Sequence, residues 1–266
     1  MVAAQVVEGL QSIVTAAETI LLVFPSDANR DLQASVVAFQ DVLKSVGKTA
    51  KLLSPQPPEE LAFQELSGVA QELGQDNLVI TFPYSLEKVD KVSYNIDETS
   101  NQFYLTIKPR AGITPLETSE ISFKYTGASA DAIILVGITE LESLEQIYFG
   151  YEELFSSVPT FVVSEAASQF GTYHLETSGF SSASEAVSQL MTQAQYQVSS
   201  DAATALLTGI EDTTQNFSSR TASAETFETV ASLLRAGARR GAAHKKEVLV
   251  SATPVKKEVK KVLQKK

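Results

Sequence analysis

The 266-residue chain contains no cysteine and only two histidines. Without cysteine there can be no disulfides and no thiolate metal sites, which fits a reducing, cytoplasmic compartment. His174 and His244 lie far apart with no acidic cluster beside either, so each reads as a plain surface or loop histidine. Long apolar runs are missing too. The stretch Ile20 to Phe24 is bracketed by charge and falls well short of the roughly 18 residues that a membrane span needs. No basic segment precedes an apolar run at the N-terminus, so no secretory signal is read there. Glycine-rich phosphate loops, H-E-x-x-H and G-x-S-x-G are all absent, and the motif scan finds no catalytic constellation.

What is present is an ordinary globular composition, 44% hydrophobic and 20% charged, in a chain long enough to bury a substantial core. The charge is unevenly placed. Residues 1–234 hold ten Lys and Arg against 30 acids, whereas residues 235–266 hold eleven against two, Glu247 and Glu258. This is an acidic body with a basic tail from about Arg239, expected to lack a fixed structure when alone. Lys245, Lys246, Lys256, Lys257, Lys260, Lys261, Lys265 and Lys266 make the tail a cationic arm for a polyanion. RNA is the leading partner and an acidic membrane surface the second. The tail has no aromatic residue, so it would grip phosphates without stacking on bases.

Hydropathy spacing supplies the organisation. Apolar residues at i, i+3 and i+4 predict helices over Val2 to Ala17 and Asp31 to Val46, the latter closed by Gly47. With strands at Ile20 to Phe24 and Lys48 to Leu53 they make a β-α-β unit, which favours a parallel sheet. Ser54-Pro-Gln-Pro-Pro-Glu-Glu60 is a linker. Alternating strands then follow at Leu78 to Phe82, Lys91 to Ile96, Phe103 to Lys108 and Ile121 to Tyr125. A turn is read at Asp97 to Gln102, and 78–126 as an antiparallel β insertion. The α/β pattern resumes with a strand at Ala132 to Val136, a helix over Leu141 to Phe155 and a strand at Thr160 to Val163. Helices follow at Ser184 to Met191, Asp201 to Ile210 and Ala224 to Leu234. The predicted class is therefore α/β: one domain over 1–238, interrupted by the insertion, and a flexible tail over 239–266.

Three blocks carry a family resemblance. Leu206-Leu-Thr-Gly-Ile210 through Phe217, with Thr226-Phe-Glu and Ala231 to Ala238, is similar to a block L-L-T-G-I-x-x-D-T-x-x-F, T-F-E and A-G-A. Phe170-Gly-Thr-Tyr-His-Leu175 with Ser181-Ser-Ala-Ser-Glu185 resembles F-G-x-x-x-L and S-S-x-x-E. Asp31 to Ser35 stands where that family has D-A-x-G-S. In this order the blocks resemble the N-terminal domain of DHH phosphoesterases, the RecJ-type exonucleases and oligoribonuclease/pAp phosphatases. The resemblance implies a mainly parallel sheet flanked by helices. It also implies a two-metal site of carboxylates and histidine that hydrolyses phosphate esters.

The motif positions do not carry that donor set. H-x-x-x-D-x-D falls on Pro25, Asn29 and Asp31, and the aspartate ending the next strand falls on Gly137. The stretch expected to hold the DHH triplet reads Val162-Val-Ser-Glu-Ala-Ala167, and the last aspartate falls on Thr213. Asp31, Glu165 and Asp212 are the oxygen donors left, and Asp31 also fits a cap for the helix it begins. Active members continue past A-G-A into a glycine-rich substrate-binding domain that the 28 residues after Ala238 do not resemble. The expectation is a catalytically degenerate DHH-like protein with no cofactor and no metal, acting as a binding or interaction module. Its vestigial cleft would be lined by Asn29, Asp31, Gly137 and Thr213, with a nucleotide-type ligand there or a macromolecule at the tail. The alternatives are an active phosphoesterase with a reduced metal site, and a structural subunit that assembles through the β insertion.

Overall fold

The structure, a computed structural model, describes residues 2–241 except 59, 60, 75, 76, 84, 86, 98, 99, 116, 127 and 128. His244 and the lysine arm lie outside the described residues, as does part of the turn expected at 97–102. The elements run α1 (Ala4–Ala16), β1 (Thr19–Val23), α2 (Arg30–Ser45), β2 (Thr49–Leu53), β3 (Asn77–Thr81), β4 (Val89–Asp97), β5 (Gln102–Pro109) and β6 (Ser122–Thr126). They continue with β7 (Ala132–Val136), α3 (Glu152–Ser157), β8 (Thr160–Ser164), β9 (Tyr173–Glu176), α4 (Ala183–Gln193), α5 (Ser200–Thr213) and α6 (Ala224–Arg235). No helix among the described residues is long and apolar enough to cross a membrane.

The fold is α/β. A five-stranded parallel sheet has the order β2-β1-β7-β8-β9. Its inner strands are buried at nearly every residue, as happens when a parallel sheet is covered on both faces. One face sends Ile20, Leu22, Ile134, Val136, Phe161 and Val163 into a core shared with α2, α4 and α5. The other sends Leu21, Val23, Ile133, Leu135 and Val162 against Leu144, Ile147 and Phe155. Asp131 Oδ2 accepts the amides of Glu18 and Thr19, both at 2.8 Å, and so ties the start of β7 to that of β1.

The strands of the expected insertion stay out of this sheet. β3 pairs with β6 and β4 with β5, both antiparallel, as separate two-stranded sheets. Two other expectations are corrected. The single helix expected over 141–155 is a short 3-10 helix, Leu141–Ile147, followed by α3. The helix breaks because Glu145 takes φ 47°, and Gly150 at φ 89° then turns the chain. His174, read as a plain surface or loop histidine, is half-buried on β9, an edge strand too short and too polar to show a period in sequence.

Candidate functional site

In an open parallel sheet the crevice forms at the carboxyl ends of the strands, where successive connections leave in opposite directions. Here β1 leads to β2 on one side while β7 lies on the other, so the switch lies between β1 and β7. A cleft of about 310 Å³ occupies this place. Asn29 and Asp31 enter it after β1, Gly137 and Thr139 after β7, Ser164 and Glu165 from the end of β8, and Thr177 and Ser178 after β9. Thr213, at the end of α5, completes it. The four positions expected to line a cleft are therefore brought together, with Glu165 beside them and exposed. Pro25 and Asp212 are not in the lining. Asp212 instead pairs with Arg30 at 3.0 Å, linking α5 to α2.

Asp31 does not cap its own helix, contrary to expectation. Asn29 does, accepting the Leu32 amide at 2.9 Å. Asp31, in the first turn of α2 and buried, caps a different helix. Its Oδ2 accepts the Ala183 amide and its Oδ1 the Ser184 amide, both at 2.8 Å, at the N-terminus of α4. Ser182 Oγ accepts the Glu185 amide at 3.0 Å, so the first three amides of α4 are all satisfied by side chains. Burial pushes the Asp31 carboxyl above its ordinary value, against the opposing pull of hydrogen bonds from Ser184, Ala183 and Thr213. The pull from bonding is weaker than the push from desolvation.

Glycines and a second buried acid complete this corner. A Cβ at Gly209 of α5 would meet Ser184 Oγ at 2.2 Å and Asp31 Oδ1 at 3.1 Å, so α5 can cross here only with glycine. Glu185 is buried and accepts from the Ser181 amide and hydroxyl and, at 2.9 Å, from Thr226 Oγ1 on α6.

Two metal ions, implied by the family resemblance, do not fit the residues present. Gly137 has φ 76°, and a Cβ there would meet Leu32 Cδ1 at 2.6 Å, so the space an aspartate would need is filled by leucine. Both Asp31 oxygens already accept backbone amides. Among the described residues no group of three or more His, Asp or Glu side chains could hold a metal ion.

Sequence reasoning missed one polar pair at the cleft edge. Ser164 Oγ lies 2.7 Å from His174 Nε2 and donates to the Ala166 carbonyl at 2.8 Å. The hydroxyl thus lies between a carbonyl and the imidazole, and the His174 tautomer sets whether ring or hydroxyl donates across the 2.7 Å contact. Burial lowers the His174 pKa, partly offset by Glu176 and the Ala166 carbonyl. The pair links the end of β8 to β9. The signal could have come only from knowing that β8 and β9 are paired with Val162 opposite His174.

No family model matches the chain, and no curated protein matches it by sequence. Solved structures do match. One is the crystal structure of an exopolyphosphatase-related protein from Bacteroides fragilis, with a TM-score of 0.59 and 14% identity over 90% of this chain. At that identity the likeness is one of fold: this chain shares the α/β architecture of that protein. It spans 58% of the length of the Bacteroides chain.

Proposed function

We propose that the chain is a DHH phosphoesterase-like protein without a hydrolytic metal centre, acting as a binding module through the cleft between β1 and β7. The observation that carries this reading is the use made of Asp31. The one motif carboxylate that persists spends both oxygens on the amides of α4. At Gly137 a positive φ and the Leu32 side chain both stand against a carboxylate, which counts against a second ligand position. The fold likeness to an exopolyphosphatase-related protein supports the descent, and the lining supports the kind of ligand.

That lining is rich in hydroxyl groups, from Thr139, Ser164, Thr177, Ser178, Ser182 and Thr213, and includes Asp31 and Glu165 but no Lys, Arg or His. A phosphate entering here would face carboxylates with no cation to offset them, and the amides that commonly hold an anion at a helix N-terminus are taken. A nucleotide-type ligand is therefore read as entering by its sugar hydroxyls, with the phosphate outward. The cleft is near the lower end of the roughly 300–1,000 Å³ usual for small-ligand sites, which suits one ring better than a dinucleotide.

The test is to assay the full chain with Mn²⁺ or Mg²⁺ on pAp, short oligonucleotides and cyclic dinucleotides, and to titrate it with adenosine and with AMP. The expected result is no metal-stimulated turnover, and adenosine bound at least as well as AMP. Mn²⁺-stimulated hydrolysis abolished in a folded Asp31→Asn variant would overturn the reading in favour of an active phosphoesterase with a reduced site.

A further inference from the structure

Among the described residues, the antiparallel ribbon β4–β5 leaves an apolar face uncovered. Its register sets Val92 opposite Ile107, Tyr94 opposite Leu105 and Ile96 opposite Phe103. Side chains alternate along a strand, so these six project from one face as three consecutive rungs. None is charged. Val92 is 43% exposed, Tyr94 69%, Ile96 59%, Phe103 63% and Leu105 40%, and the Tyr94 and Phe103 rings stack at 5.6 Å. Lys91, Ser93, Asn95, Tyr104, Thr106 and Lys108 take the opposite face. Two-stranded ribbons are marginal in water unless a further layer covers their apolar side. A face this regular and this exposed is the unusual feature of the molecule, since scattered apolar residues need no explanation but a contiguous patch does.

We propose that this face is a homodimer interface, in which the β4–β5 ribbons of two copies pack face to face. Area supports a second copy. At the exposures given, residues of roughly 150–220 Å² each contribute about 500 Å² per copy, or about 1,000 Å² for the pair, the lower bound of a specific interface. Shape supports it as well. With the ribbons antiparallel about a twofold axis, the Ile96–Phe103 rung of one copy lies over the Val92–Ile107 rung of the other, large against small, and Tyr94–Leu105 meets itself at the centre. The charge pattern is compatible. The face is neutral, and Lys91 and Lys108 lie on the ribbon's other side, so the contact sets no like charges against each other. The chain's net charge of −11 still opposes association at long range, and salt screens that repulsion. Dimerisation should therefore strengthen with salt, whereas a cationic partner on this acidic body would weaken.

The experiment is sedimentation velocity on the full chain across a wide concentration range and at several salt concentrations. The expected outcome is concentration-dependent conversion of a 28.7 kDa species to one of twice that mass, favoured by salt. Tyr94→Lys combined with Phe103→Lys should give monomer at every concentration with an unchanged circular dichroism spectrum, and Asn95→Lys on the opposite face should still dimerise. As the chain has no cysteine, Leu105→Cys supplies a single thiol that a short bis-maleimide reagent, to which each thiolate adds, should join between copies, while Asn95→Cys should not be joined. A wild-type chain that stays monomeric throughout, a dimer that persists in the double-lysine variant, or crosslinking at Asn95→Cys alone overturns the proposal. Should the double-lysine variant misfold, the two cysteine variants decide the matter.

Discussion

Replacing Asp31 by alanine separates a structural carboxylate from a chemical one. The substitution removes both acceptors from the Ala183 and Ser184 amides, which are buried at the start of α4. Loss of a cap costs about 0.5–2 kcal/mol, and a buried amide left without an acceptor about 1–3 kcal/mol. Two considerations reduce the sum. The cleft lets water reach the first turn of α4, and the variant no longer bears the cost of burying a carboxylate whose pKa is raised by desolvation. The net expectation is a destabilisation of about 3 kcal/mol. For a domain of this size that lowers Tm by roughly 6–12 °C. Chemical denaturation of wild type, Asp31→Ala and Asp31→Asn measures it directly. Asparagine keeps one acceptor but turns an amino group toward the other amide, so its loss should be smaller than that of alanine. A change within about 0.5 kcal/mol for Asp31→Ala, the range of an unremarkable surface substitution, would refute the capping role and reopen a ligand role for this carboxylate.

Gly137→Asp restores a carboxylate at the motif position, but it demands a positive φ and space now filled by Leu32. It should cost about 2–4 kcal/mol in denaturant and add no Mn²⁺ affinity by calorimetry. The raised pKa of Asp31 means that the folded state holds this proton more tightly than the unfolded state. Its contribution is thus present below the ordinary carboxyl value of 3.8 and lost as pH rises through the raised value, and the stability of wild type minus that of Asp31→Asn should fall across that window. The reverse slope would contradict the burial argument. For the basic tail, a chain ending at Ala238 should bind RNA more weakly than the full chain, and the full chain's affinity should fall steeply with salt. Equal binding by the two, or binding indifferent to salt, would dispose of the cationic arm.

The elements that were legible in the sequence are those with a strong period or an uninterrupted apolar run. Leu32, Val36, Phe39 and Leu43 mark one face of α2, and Gly47 at φ 78° follows its end. Ile133 to Val136, a short and largely β-branched apolar run, reads as a strand buried on both sides and is one. The helix expected over 141–155 was illegible for a local reason: its apolar spacing suits a helix, and nothing in the spacing reveals the positive φ of Glu145. β9 is legible only through its partner, since four residues of mixed polarity have no period of their own. The role of Asp31 was beyond reach because the amides it serves come 152 and 153 residues later in the chain. A helix that starts at a short polar residue invites the nearest cap, and Asn29 two positions earlier had the better geometry for it.

The blocks that carry the family resemblance meet at one place in space. Asp31 of the first holds the amides of Ala183 and Ser184 in the second. Gly209 of the third gives α5 room to pass Ser184, and Thr226 of its T-F-E segment donates to Glu185. This corner is a buried polar network with each member satisfied, the kind of arrangement that fixes how three helices dock and becomes costly when one partner is removed. The motif positions that open onto solvent, Asn29, Gly137 and Thr213, instead hold residues that cap, turn or donate hydrogen bonds. The resemblance in sequence therefore tracks architecture around the N-terminus of α4, and a metal ion at Asp31 would have to compete with two backbone amides for the same oxygens. The docking of α2 on α4 is enough to account for an aspartate at position 31, and the binding role proposed for the cleft turns on what its hydroxyl groups can hold.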